Sequence, residues 1–222
     1  MKLQIFDADY RTDPLEVQLY GKGKEGVYKI IDDEFRPYFY AVPESGLNEL
    51  KEEIESSEFE TDKGEKLEIH EINKERKKYK KEEIEVLKIK TDVPANVPKL
   101  KNKIWDLETT RKCLEYDIPY YRRYLIDKEI RPGRWIEIEG DTKESSNFDA
   151  EIHVNKISAV NEEDEIDWNK MAFDLEIIDE EIVMASFKSE KVEKVLTLRE
   201  TENDFCENVE DEEQLLNRFI EI

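Results

Sequence analysis

An α+β fold is predicted for this chain of 222 residues by three observations. Residues 3–7 and 15–19 alternate apolar and polar side chains with period two, the pattern of half-buried strands. Leu47, Leu50 and Ile54, and again Val97, Leu100, Ile104 and Leu107, recur at helical spacing. Hydrophobic residues make up 38% and aromatics 10% of the chain, enough to fill a core beside 41% charged residues.

The elements follow in order. The first two strands are separated by a turn signal at Thr12, Asp13 and Pro14. Gly21, Gly23 and Gly26 match a glycine-rich nucleotide loop in spacing only. They lie between two strand-like runs and open no helix, so they form a hairpin loop. Phe35 to Tyr40 is a dense aromatic strand whose Pro37 suits an edge or a strand start. Residues 44–57 form an amphipathic helix, and residues 67–72 and 84–89 two more strands. Between these strands, six of the eight residues from Lys74 to Lys81 are Lys or Arg. This basic run reads as a solvated hairpin tip or, functionally, as a contact to a phosphate backbone. A second helix follows Pro98. The pattern to this point places two hairpin-rich strand sets and two helices on one sheet. Strands at 135–139 and 152–160 come next. The acidic run at 161–167 marks a domain boundary, dividing the chain into 1–160 and 161–222. Strands follow at 171–177, 182–187 and 192–198, with a closing helical stripe of Leu215, Leu216, Phe219 and Ile220.

Composition excludes several classes. No apolar run approaches the ~20 residues a membrane helix needs, and the N-terminus has no secretory pattern, so a soluble, cytoplasmic protein without a membrane partner is expected. Cys113 and Cys206 are far apart, with no zinc-ligand spacing. His70 and His153 are isolated and read as ordinary strand residues. The net charge of −22 argues against phosphate binding, but the acid is concentrated at 162–167 and 200–213, while basic residues cluster elsewhere. A salt-rich cytoplasm would screen the self-repulsion.

The most pointed chemical signal is Asp174 and Glu176. In a strand, residues two apart face the same side, and two such carboxylates can hold a divalent metal. Met171, Ala172, Phe173 and Leu175 make that strand apolar and suggest a central position. The plainer reading is a solvated strand face.

Phe173, Asp174, Leu175 and Glu176 resemble the first exonuclease motif of family B DNA polymerases. Tyr116, Asp117, Ile118 and Pro119 with Arg123 to Asp127, the Phe35 to Ala41 segment, and Asp7, Asp9 and Tyr10 resemble the archaeal branch. The anchors occur in the family's order and span most of the chain. The resemblance implies a ferredoxin-like or RNA-recognition-like N-terminal domain, followed by the first strands of an RNase H-like exonuclease domain. It also implies that the N-terminal domain binds single-stranded template DNA and senses uracil in it. The family's pocket positions fall on Tyr10, Pro37, Tyr38, Pro94, Val97, Ile118, Pro119, Tyr120 and Arg123. Proline and β-branched walls would exclude the thymine methyl, Tyr38 and Tyr120 would offer stacking surface, and Arg123 would bind phosphate or brace the pocket.

Two departures stand out. Ile177 stands where many relatives have threonine, and the loop after it is short. Later exonuclease motifs and the polymerase motifs do not occur before Ile222, so the chain alone is expected neither to polymerise nor to proofread. Asp174 and Glu176 would bind Mg2+ or Mn2+ only in the complete enzyme, and the N-terminal domain alone needs no cofactor. The resemblance implies as partners the remaining polymerase domains or a second subunit, and a sliding clamp reached through them. The rival readings are a stand-alone single-strand-binding or regulatory module, and an independent metal-dependent nuclease.

Overall fold

The period-two runs at the start of the chain become β1 (Lys2–Thr12), β2 (Leu15–Lys22) and β3 (Val27–Asp32). There follow β4 (Tyr38–Pro43), α1 (Leu47–Ser56), β5 (Ile69–Tyr79), β6 (Glu82–Thr91), α2 (Asn96–Trp105), β7 (Thr110–Leu114), α3 (Tyr120–Asp127), β8 (Trp135–Lys143) and β9 (Ala150–Val160). The last elements are β10 (Met171–Ile178), β11 (Glu181–Ser189), β12 (Glu193–Thr197), β13 (Cys206–Asn208) and α4 (Glu212–Glu221). This computed structural model describes residues 1–161, 166 and 168–222. The chain separates into two compact units, Met1–Ile166 and Asp167–Ile222. The boundary expected at 161–167 lies largely outside the described residues. The result is a mixed, strand-rich α+β architecture.

In the first unit the strands do not share one sheet, which corrects the single-sheet expectation. β1, β2, β3, β9 and β8 close into a barrel in that order. The free edge of β3 takes β9 in parallel, Ile30 opposite Ile152, and β1 closes on β8 through Leu3 and Ile136. Closure hides every sheet edge and fills the interior from alternate positions: Leu3, Ile5, Val17, Leu19, Ile30, Ile136 and Ile138 are all buried. Helix α3 adds Tyr120, Tyr124 and Leu125 to that core. The buried Tyr124 hydroxyl donates to Asp32 Oδ2 at 2.9 Å, so it is not left unsatisfied.

The second sheet has the order β5-β6-β4-β7, antiparallel throughout. Pro37 directly precedes β4, which is central rather than an edge, so the missing N–H falls outside the ladder. Both predicted helices pack on one face. Leu50 and Ile54 of α1, and Val97, Leu100 and Ile104 of α2, meet Phe39, Leu87 and Ile89. α2 begins two residues before Pro98, which occupies the first turn, where a missing N–H costs nothing. The opposite face carries a smaller cluster of Tyr38, Tyr40, Val42 and Val86.

The second unit is the sheet β10-β11-β12-β13 with α4 against it. Its first hairpin turns on Asp179 and Glu180, both with positive φ, as a tight two-residue turn requires. Two expectations change here. β10 is an edge strand among the described residues, and Phe173 is 57% exposed. Its apolarity therefore does not mark a central position. In α4, Leu215, Phe219 and Ile222 face the core, whereas Leu216 and Ile220 are exposed, Ile220 by 82%. One residue is ~100° of rotation, enough to swing half the expected stripe into solvent. Asp211 caps the helix by accepting from the Gln214 N–H at 2.8 Å.

Gly140 sits at a register shift in the β8–β9 pair, and a Cβ there would lie 2.0 Å from the His153 carbonyl oxygen. We expect Gly140→Ala to cost about 2–3 kcal/mol and lower the melting temperature by several degrees. Gly46→Ala, whose nearest neighbour would be 3.7 Å away, should change it little. In the second unit, hydrogen bonds from Arg218 and Lys194 hold the Glu207 carboxyl down at about 2. A lowered carboxylate pKa stabilises the fold above the ordinary value and loses that contribution on protonation. Unfolding followed against pH should therefore show a loss between 4.5 and about 2 that Glu207→Gln removes.

Candidate functional site

Three chain segments with little conformational freedom converge in the first unit. Pro37 leads into β4, Pro94 precedes α2, and Pro119 occupies the N-cap of α3. Each proline fixes its own φ, so the backbone between these elements is stiff. Together with the end of β1 they line a cavity of about 510 Å³. Tyr10, Pro37, Tyr38, Pro94, Val97, Ile118, Pro119, Tyr120 and Arg123, the nine positions singled out in the sequence, all line it. Thr12, Ala95, Pro98, Tyr116 and Asp117 line it too, and the sequence reading had not named them as pocket residues. Tyr116 and Asp117 belong to the same sequence run as Ile118 and Pro119. Thr12 belongs to the turn signal between the first two strands.

The aromatic residues are tightly placed. Tyr120 donates its hydroxyl to the Phe35 carbonyl at 2.6 Å, stacks on the Phe35 ring at 5.6 Å and meets the Tyr10 ring edge-on at 5.4 Å. Tyr38 and Tyr120 are each only 5% exposed, whereas Tyr10 is 37% exposed. The open aromatic surface is therefore that of Tyr10, and the stacking expected of Tyr38 and Tyr120 is limited by their burial.

Arg123 is a brace. Its Nη1 lies 2.7 Å from Glu115 Oε2 and 3.9 Å from Asp127 Oδ1, and its guanidinium covers the Tyr38 ring at 4.9 Å. The Tyr38 hydroxyl donates to both Asp127 carboxylate oxygens at 2.7 Å. Burial, then the Asp127 hydrogen bond, push the Tyr38 phenol far above its ordinary range, so it stays a donor. Arg123 Nε is buried and has no hydrogen-bond partner among the described residues. Such a donor is costly unless a ligand or water meets it. The first turn of α3, whose Pro119 and Tyr120 line the cavity, has no side-chain cap on its N–H groups.

The second predicted site is less complete. Asp174 and Glu176 lie two apart on β10, opposite Ser186 and Met184 of β11. Phe173 packs on Phe219 of α4 at 5.4 Å, which puts the two carboxylates on the opposite face of the strand. No group of three or more acidic, histidine or cysteine side chains forms a metal site among the described residues. The pair supplies two carboxylates, and the rest of a divalent ion's shell would have to come from water, a phosphate or further ligands. His70 sits 2.8 Å from Asp92 and is not among the residues that line the cavity. Among the described residues no helix is long and apolar enough to cross a membrane.

Residues 111–222 match the family model described as DNA polymerase family B, exonuclease domain. The chain is 30% identical over 230 residues to a DNA polymerase of Pyrococcus glycovorans, covering 98% of this chain and 25% of that protein. It is 32% identical over 233 residues to a DNA polymerase of Methanocaldococcus jannaschii, covering 98% of this chain and 13% of that one. The chain thus spans a quarter or less of the length of these relatives. The solved structure of the family B DNA polymerase from the hyperthermophilic archaeon Pyrobaculum calidifontis is similar in fold. It has a TM-score of 0.76 and 23% identity, and the match covers all of this chain and 28% of that one.

Removing the brace should be measurable. We expect Arg123→Lys, which loses the planar fork, to cost about 1–3 kcal/mol in urea unfolding. Tyr38→Phe, which takes the phenol donor from Asp127, should cost about 1–2 kcal/mol. The double variant should lose less than their sum, because both changes act on the same cluster.

Proposed function

Since the chain belongs to the family B DNA polymerases, we propose that its first unit binds single-stranded template DNA and holds a flipped uracil in the proline-walled cavity. The observation that carries this reading is the convergence of Tyr10, Pro37, Tyr38, Pro94, Val97, Ile118, Pro119, Tyr120 and Arg123 on one cavity. An enzyme that reads a flipped base needs a shaped recess and polar groups at the base edge. Val97, Ile118 and the three prolines supply the recess. The uncapped first turn of α3 and the Arg123 Nε supply donors. Tyr10 supplies an exposed ring against which a base can stack.

The finer fold reading agrees with this. The run β4-α1-β5-β6-α2-β7, with sheet order β5-β6-β4-β7, has the connectivity of a ferredoxin-like or RNA-recognition-like module. The antiparallel β10, β11 and β12 suit the opening strands of an RNase H-like exonuclease domain. We assign residues 1–160 to template recognition and 161–222 to that exonuclease domain. DNA synthesis and proofreading belong to the complete enzyme, where Asp174 and Glu176 would join further carboxylates around a divalent ion. Such an ion would polarise a phosphodiester and activate water. Among the described residues Asp174 and Glu176 provide two carboxylates on one strand face.

Fluorescence anisotropy tests the reading. Single-stranded DNA with one internal uracil should bind at least tenfold more tightly than the same oligonucleotide with thymine, at fixed salt. Val97→Trp should abolish that preference by filling the recess. Equal affinity of the wild-type chain for the two oligonucleotides would remove uracil sensing as the cavity's role.

A further inference from the structure

The basic run at 74–81 lies outside the cavity just described. It forms the end of β5 and the turn into β6, with Lys80 and Lys81 in the left-handed region at the tip. Strand alternation puts Glu75, Lys77 and Tyr79 on one face of β5. Register puts Lys88 of β6 and Tyr38, Tyr40 and Val42 of β4 on the same face, opposite the helices.

On that face, cations lie over tyrosine rings in a row. Arg123 and Lys88 cover Tyr38, at 4.9 and 3.8 Å from its ring centre. The next ring, Tyr40, is 5.4 Å from Tyr38 and carries Lys77 at 4.9 Å. Two residues on from Lys77, Tyr79 carries Lys112 at 3.5 Å and Lys80 at 5.5 Å. The row starts at the cavity, whose wall includes Tyr38 and Arg123, and ends at the hairpin turn. From Lys88 to Glu82, which pairs with Tyr79, β6 covers roughly 20 Å at ~3.3 Å per residue. That is the length of several stacked nucleotides at ~3.4 Å each.

Ring contact orders each lysine stem before any ligand arrives, which lowers the entropy lost on meeting a phosphate. Glu75 stands within the row, 3.4 Å from Lys77 and 3.6 Å from Lys88, and offsets part of their charge, so two lysines share one carboxylate. Lys112 has a ring partner and no carboxylate partner among the described residues. In a chain of net charge −22, an aligned set of cations on one sheet face is a local concentration of positive charge.

We propose that this row is a track for the phosphate backbone of single-stranded DNA, leading the strand from the cavity to the β5–β6 turn. The direction of the track rests on the reading of the cavity as a template site. The row's affinity for phosphates does not.

Lys77→Met combined with Lys112→Met tests it, since methionine keeps an apolar stem over each ring and removes only the charge. Binding of single-stranded DNA, with uracil or with thymine, is followed across a salt series. The expected result is equal weakening for both oligonucleotides and a log–log salt slope shallower by about 0.7 per lost phosphate contact. Lys63→Met combined with Lys66→Met, removing two cations off this face, should leave the slope unchanged. An unchanged slope and affinity in the Lys77/Lys112 variant would overturn the track, as would an equal loss in the Lys63/Lys66 control. If the wild-type chain shows no uracil preference and the slope still falls, the cavity reading fails while the track stands.

Discussion

The cavity depends on α3 being held from two sides. Tyr120, Tyr124 and Leu125 anchor the helix in the barrel core, and Tyr124 reaches Asp32 through a buried hydrogen bond. From the same helix, Asp127 accepts from Tyr38 at the start of β4, and Arg123 lies over the Tyr38 ring. An eight-residue helix has little stability of its own, so these tertiary contacts decide its position. The gap between α3 and the α2 start is then set by side chains with almost no exposed surface. This makes Arg123 a positioning residue first. Its charge is largely spent on Glu115 and Asp127, and its buried Nε has no hydrogen-bond partner among the described residues.

The charge distribution follows a related logic. A chain with 57 acidic and 35 basic residues repels a polyanion at long range. Binding nucleic acid under that constraint requires cations fixed close to the strand, where contact distance outweighs a screened background. Tyrosine rings beneath Lys77, Lys88 and Lys112 fix them in this way. Their contribution is short-ranged, so on the proposed reading specificity would fall to the cavity and the cations would supply register along the strand.

Much of the fold was legible because the signals were local. Period-two runs gave the strands, and the spacings of Leu50 and Ile54, or of Leu100 and Ile104, gave α1 and α2. The barrel was not legible. Its closure depends on β3 pairing with β9 in parallel, across roughly 120 residues of chain, and no local pattern encodes such a pairing. The apolarity of β10 misleads for a similar reason, since Phe173 packs on Phe219 of α4 while the strand lies at the sheet edge among the described residues. For the cavity, nine positions came from family resemblance. Thr12, Ala95 and Pro98 join it only through the meeting of β1 and α2 at a single recess.

The wall chemistry has a consequence for how a single methyl group is read. A pocket that merely fits a smaller base gains about 1–3 kcal/mol per methylene of discrimination, a factor of 10–200. Packing attraction alone favours the larger base, because thymine buries more apolar surface than uracil. A preference for uracil would therefore have to come from a wall that does not yield. Flexible side chains would move aside at the cost of a rotamer change. Pro37, Pro94 and Pro119 cannot, since ring closure fixes φ, and the β-branched Val97 and Ile118 are stiff at χ1. On the proposed reading, rigidity at these five positions, backed by the brace on α3, would turn an absent methyl into the favoured state.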